Sequence, residues 1–422
     1  MSSIDLLIIG AGPAGLMAAI KAADEGLRVC MVESMPRPAR KLGISGKGRG
    51  NLTNTAPLRD FLKHFNLQGR FLKASFAAFF NTDLVAFFAG EGLKTAEERG
   101  GRVFVASNRA TDAVKCLHEA IEKRKVKLLT SSPAKRLLIE NQRCTGVFLE
   151  NGKTIVATKI LLATGGLSYP LTGSTGAGIE MARACGHKIV TPLPSLVALK
   201  PETPLPANLD SVILKNVAAE LRINGKKAAA EFGEMAFLDG YLAGPIIISL
   251  SRAAVQALQE RQQVEITLDL KPALDHATLD RRILREIDAT PGINVTGIIA
   301  KLLPADMRAY CLKQTELPGQ LKACQMNANQ RKALRNWLKE QHYKVIGHAP
   351  WEQAIVTAGG VATADINPNT LESKVIANLH FAGEIIDIDA DTGGYNLQAA
   401  FSTGWLAGLS AAQAIKSASK AR

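Results

Sequence analysis

The sequence predicts an α/β protein: a parallel-sheet nucleotide domain assembled from both chain ends and interrupted by an insertion, first β-rich and then helical. Three observations carry this. An apolar run at residues 4–9 leads into Gly10-x-Gly12-x-x-Gly15 and an Ala-rich helix. Strand-like runs with glycine-rich ends return at residues 160–166 and 379–387. Between them prolines cluster (Pro192, Pro194, Pro201, Pro204, Pro206) and the hydrophobic period changes. At 422 residues the chain is too long for one small core.

Taken in order, residues 4–9 read as a buried strand and 13–23 as a helix stopped by Gly26. Residues 27–32 form the next strand, closing on Glu33. Strand, turn, helix and strand at this spacing make a βαβ unit. Residues 36–56 are a long loop rich in Gly, Arg, Lys, Ser and Asn, a composition that points to function in a compact domain. Residues 60–125 read as helical around a short strand at 102–105. Runs at 127–129, 137–139, 144–149 and 154–157 alternate like antiparallel strands, and 160–163 reads as a separate strand. Residues 195–270 alternate like β structure, 275–345 have helical period with few strand signals, and a helix from about Leu397 to Lys416 ends the pattern. The predicted domains are therefore 1–193 with 351–422, 194–272, and 273–350.

The glycine turn has a specific chemistry. Gly10 allows the tight turn, Gly12 lets a pyrophosphate approach the backbone, and Gly15 lets helix and strand pack closely. The helix N-terminus faces the phosphate charge. Glu33, at the end of the next strand, sits where an acid takes ribose hydroxyls. The two later strand ends supply a Gly pair, a carboxylate at Glu384 and Asp387, and a glycine turn opening a helix, suited to a second phosphate and a ribitol. Only one full GxGxxG occurs, so one dinucleotide has a complete site, and FAD fits the combined motifs. NAD(P)H, as electron donor, then docks only transiently. Lys41 and Arg49 are loop cations suited to a pyrophosphate or a negatively charged flavin.

The net charge of +13 fits either a basic surface or a polyanionic partner such as RNA. The six cysteines form no CxxC or Cys/His metal spacing, so no metal site is predicted and a reducing cytoplasm fits. The N-terminal apolar run lacks the basic start of a signal peptide, and no run reaches the ~20 apolar residues of a membrane helix.

The stretches RKLGISGKGRGNLTN (40–54), EERGGRVFVASNRA (97–110), ATGGLSYPLTGSTGAG (163–178), GYLAGP (240–245), VTAGGV (356–361), TLESK (370–374) and AGEIIDIDADTGGYNLQAAFSTG (382–404) resemble the BaiN/RdsA-type FAD-dependent oxidoreductases. The resemblance runs from Ile4 to about Gly408 and is weakest over 205–345. It implies a Rossmann-like FAD domain with two inserted domains. It implies FAD contacts at Gly10, Gly12, Gly15, Glu33, Lys41, Ser45, Gly48, Arg49, Asn51, Ala134, Thr164, Gly165, Gly383, Glu384, Asp387, Gly394, Asn396, Leu397 and Gln398. The sequence departs from the family twice. Family members carry GRCN where this chain has Gly48-Arg49-Gly50-Asn51, and a Thr-His pair where it has Leu238-Asp239.

The catalytic candidates are Tyr169 and Tyr395, hydroxyls in glycine-rich motifs, and Asp239, each weighed against packing or turn roles. Ser168, Thr172 and His187 read mainly as caps. Three functions compete. The first is a reductase of an activated double bond, in its most specific form uridine in ribosomal RNA, with the helical insert facing the RNA. The second is an oxidase or dehydrogenase of small amines or ketones. The third is an FAD-containing RNA-binding protein that has lost its chemistry.

Overall fold

The computed structural model describes residues 4–420; residues 1–3 and 421–422, at the outer limits of the predicted nucleotide domain, lie outside the described residues. The chain divides into two compact units, Met1–Pro194 with Ala354–Arg422, and Ser195–Gln353.

In the first unit β1 (Ile4–Ile9) is followed by α1 (Pro13–Asp24) and β2 (Val29–Val32). β1 and β2 run parallel in the register Leu6↔Val29 to Ile9↔Val32. Leu6–Ile9 and Val29–Val32 are buried, as unbroken apolar runs require of strands covered on two faces. The strand Lys127–Leu129 flanks β2, and Thr154–Leu162 flanks β1 on its other side, both parallel. Arg143–Leu149 and Ala134–Glu140 extend the sheet antiparallel beyond Thr154–Leu162.

The two strands expected at 154–157 and 160–163 are one strand, Thr154–Leu162. Its first residues pair antiparallel with Arg143–Leu149, and its last ones pair parallel with Leu379–Phe381. The change of partner changes the burial pattern midway, and this reads in sequence as a break. The last helix, Tyr395–Lys420, lies on α1. A Cβ at Gly404 would overlap the Ala14 carbonyl oxygen, so the approach needs a residue without a side chain.

The second unit is a closed antiparallel barrel of six strands in the order Leu199–Pro201, Tyr241–Ala243, Lys226–Leu238, Ile213–Ile223, Val264–Asp269 and Gln341–His348. Two expectations fail here. The β-like segment 195–270 contains the helix Pro245–Gln259, where the β-branched run Ile246–Ile248 imitates a strand but Pro245 starts a helical turn and the buried positions follow helical spacing. The segment read as helical ends in the barrel strand Gln341–His348, with Gln341, Tyr343 and Val345 buried and His342, Lys344 and Ile346 exposed. Helices His276–Asp288, Val295–Leu302, Ala305–Thr315 and Ala328–Lys339 lie between the last two strands in sequence. Asp275, Asn294 and Asn327 cap three of them through side-chain oxygens.

All six cysteines are free, and among the described residues no single helix is long and apolar enough to cross a membrane.

Candidate functional site

The site begins with three strand ends. β1, Thr154–Leu162 and Leu379–Phe381 are parallel, and Ile9, Leu162 and Phe381 stand level in the register. Their loops therefore leave the sheet along one edge, where open α/β sheets take ligands. Three loops distant in sequence meet there: 10–15, 163–168 and 382–394.

The first loop is shaped by close approach. A Cβ at Gly15 would overlap the Gly10 carbonyl oxygen, whereas the same atom at Gly12 would meet nothing within 4 Å. Space for a phosphate thus lies at Gly12, with the start of α1 directed at it. Gly10 itself packs against the Ala163 carbonyl. Glu33 accepts the N–H groups of Ala11 and Met35, each at 2.8 Å, and so ties the turn to the end of β2. The Glu33 carbonyl accepts from Ser132 N–H, so the chain leading to Ala134 passes beside it.

Four segments are joined by one polar cluster. Lys41 Nζ donates to Ser168 Oγ and Glu384 Oε2, both at 2.5 Å. Glu384 Oε1 accepts from Ser168 Oγ at 2.8 Å and from Thr357 N–H at 2.7 Å. Thr357 Oγ1 accepts the N–H groups of Leu167 and Ser168. Ser168 is fully buried, so this cluster sets the relative positions of the loops more than it adds surface-pair stability. Ser45 caps the short helix Arg40–Ile44 through Leu42 O, and Gly48 continues the loop. Arg49 pairs with Glu98 and Asn108 and lies over Phe104, so its guanidinium is already held by protein groups.

The third loop leads into the last helix. Asp387 donates its N–H to Val361 O and accepts from Gln68 Nε2 at 3.2 Å. Asn396 braces the turn through Ala390 N–H, Ala390 O and Asp391 O. Gly394 packs against the Thr53 carbonyl, beside Asn51 at the start of the strand Asn51–Asn54. Leu397 lies in the first helical turn, where backbone N–H groups have no helical acceptor, and Gln398 N–H closes that turn by donating to Gly394 O.

Tyr395 is 6% exposed, stacks on His64 at 3.9 Å and meets Phe61 edge-on at 4.7 Å. Burial, and then the Asp391 charge, push its hydroxyl above the ordinary tyrosine value. Packing dominates its environment. Beside it is a pair that the sequence analysis missed: His64 Nδ1 lies 2.9 Å from Asp391 Oδ2, and Asp391 N–H donates to His64 O. No signal in the sequence joins residues 327 positions apart; only the demand for a partner to Asp391 could have prompted the search. His64 Nε2 has no hydrogen-bond partner among the described residues.

Tyr169 is half-buried with its φ at +51°, and burial raises its hydroxyl. Thr172 closes the same turn by donating to Tyr169 O. His187 closes a helix end: Nδ1 meets Ala182 O and Nε2 meets Ser373 Oγ. Asp239 lies in the other unit, in the hairpin turn after Lys226–Leu238, with φ at +50° and its N–H donating to Asp210. This is a turn residue's role, and the described contacts give its carboxylate no catalytic one. Gly50, where the family has cysteine, has φ at +75°, and a Cβ there would meet Val105 Cγ2 at 2.9 Å. The loop is built around the missing side chain.

The residues fit FAD. Open space faces Gly12, and the buried Thr164 Oγ1, beside Gly165, and Gln398 Oε1 have no hydrogen-bond partner among the described residues. With Glu33 for a ribose and Gly383–Gln398 opening a helix, the donors and acceptors suit two phosphates, a ribose and a flavin ring.

Comparison with known proteins agrees. Residues 4–410 match the family model described as the HI0933-like protein Rossmann domain. The chain is 28% identical over 409 residues to the 3-dehydro-bile acid delta(4,6)-reductase of Clostridium scindens, covering 96% of this chain and 98% of that one. It is 27% identical over 406 residues to the ribosomal RNA dihydrouridine synthase of Escherichia coli K12, covering 96% and 97%. Among solved structures, a 3-ketosteroid delta1-dehydrogenase from Sterolibacterium denitrificans matches with a TM-score of 0.53 at 14% identity, covering 98% of this chain and all of the other. That likeness shows the fold.

Proposed function

The chain belongs to the HI0933-like Rossmann family and is an FAD-dependent oxidoreductase; from that premise we propose that it reduces uridine in ribosomal RNA to dihydrouridine. The two relatives' names share a substrate feature, a carbon–carbon double bond conjugated with a carbonyl. Bound FAD, once reduced by NADH or NADPH, supplies the hydride such a bond accepts. The chain's own part is to hold, orient and protonate. Gly12, Glu33, Thr164 and the first turn of the last helix hold the cofactor. The Lys41–Ser168–Glu384–Thr357 cluster keeps the loops in register around it. Conjugate reduction leaves a carbon next to the carbonyl in need of a proton. His64, oriented through Nδ1 by Asp391 with Nε2 free, is the group best placed in chemistry to donate it.

The observation that favours RNA over a small enone is the surplus of thirteen positive charges, which a small substrate does not call for. The test follows the flavin absorbance without oxygen. NADH or NADPH should bleach it, and ribosomal RNA lacking dihydrouridine should restore it with one dihydrouridine formed per flavin oxidised. Restoration by a small enone and not by RNA would assign the small-molecule reading instead. Restoration by oxygen alone would leave neither reductase reading standing.

A further inference from the structure

Eight of the thirteen surplus charges lie in residues 37–73, where nine Lys and Arg meet a single acid, Asp60. Three of the nine are matched, by the pairs Lys41–Glu384, Arg49–Glu98 and Lys63–Asp60. Arg37, Arg40, Lys47, Arg59, Arg70 and Lys73 are exposed and pair with no carboxylate among the described residues.

This stretch is the rim of the crevice. Lys41 reaches Ser168 and Glu384, Asn54 Nδ2 donates to Gly393 O, and His64 holds Asp391. It therefore touches both later strand-end loops. The helical insert is different. Residues 271–339 hold twelve Lys and Arg against six Asp and Glu, and four of the cations reach an acid: Lys301 meets Glu286, Arg331 and Arg335 meet Asp280, and Lys339 meets Asp269 just before the insert. One acid for every two cations tempers the insert's charge along its length; nine cations against one acid beside a reaction crevice make a track for a polyanion.

We propose that residues 37–73, and not the helical insert, form the surface that receives the phosphate backbone of single-stranded RNA, holding it so that a base enters the crevice. The proposal rests on the RNA reading above. The aromatic residues Phe61, Phe65 and Phe71 of this stretch are buried, so no stacking platform is offered and phosphate contact carries the affinity.

The test uses the FAD-loaded full chain and a labelled oligouridine of about twenty nucleotides, titrated between about 50 and 200 mM salt. The triple variant Arg59→Gln/Arg70→Gln/Lys73→Gln should lower the slope of log affinity against log salt by about 2, at roughly 0.7 per lost phosphate contact. Arg285→Gln/Lys313→Gln/Lys332→Gln in the insert should leave the slope unchanged. The charge-keeping pair Arg59→Lys/Arg70→Lys should retain the wild-type slope, which separates charge from folding. A slope lowered by the insert triple and not by the rim triple overturns the proposal while leaving the RNA reading in place. Loss of flavin absorbance from the rim triple assigns these cations to the cofactor and also overturns it. Absence of salt-dependent oligouridine binding by the wild type overturns both.

Discussion

The two units handle the ends of their strands in opposite ways. In the first, parallel strands send every connection from Ile9, Leu162 and Phe381 to one edge, and polar side chains join loops far apart in sequence: Lys41 to Glu384, His64 to Asp391, Asn54 to Gly393. In the barrel, antiparallel strands turn back on their neighbours, as at Leu238↔Tyr241, and His342 bonds to Glu265 on the adjacent strand. A parallel sheet gathers distant residues at one edge and can assemble a site there. A closed barrel satisfies its strands against each other and leaves its turns to local chemistry.

The largest test of that contrast is Gly15→Val. The new side chain overlaps the Gly10 carbonyl, so the expected cost exceeds about 4 kcal/mol and no FAD-loaded protein should be recovered. Gly12→Ala, with open space for its methyl, should keep the apoprotein's melting temperature and weaken FAD binding, measured by cofactor release on dilution. If both variants behave alike, the turn is not divided between packing and binding as described.

His64→Gln comes next. It should lower turnover about 100-fold, with FAD content unchanged. Unchanged turnover would leave His64 as packing for Tyr395.

Gly50→Cys restores the family's residue but not its environment. The left-handed backbone costs about 1–2 kcal/mol, and Val105 adds a steric contact. The melting temperature should fall by several degrees with no gain in rate. A faster and equally stable variant would show that the loop can rearrange.

A smaller effect concerns pH. Burial holds His380 down to about 4, near the Lys159–Glu372 pair. A depressed histidine value means that the unfolded chain takes the proton first, so stability should fall as pH drops from about 6.5 toward 4. The lowered Glu372 value acts in the same direction at the acid end, because its carboxylate prefers to stay charged in the fold. Thermal melts across this range should show a shallower decline for His380→Asn.

Asp239→Gly should do least. Glycine accepts the φ of +50°, and the backbone donation to Asp210 survives. Stability should stay within about 0.5 kcal/mol and turnover should be unchanged. A tenfold loss of turnover would bring the barrel's turn into the chemistry.

The dinucleotide unit was legible because each of its parts is local. The glycine spacing, the first helix and Glu33 lie within one stretch of sequence and obey short-range backbone rules. The single strand Thr154–Leu162 was not legible as one, because its partners change along its length. The helix Pro245–Gln259 was misread because branched residues suit buried helices and strands alike. Lys41 stood out as a loop cation, but nothing near it indicated that its partner would be Glu384, 343 residues away.

By itself the sequence determined the α/β class, the phosphate-binding turn and the family, since these follow from the order of residues within short windows. Only the tertiary structure decided that the barrel closes through Gln341–His348 and that His64 meets Asp391. It also decided that Gly50 holds a left-handed backbone with Val105 and Ala110 crowding the place of a Cβ. Each depends on which surfaces are brought together when strands pair and helices pack. Pairing is chosen by the burial and register of the whole chain, and no short window contains that choice.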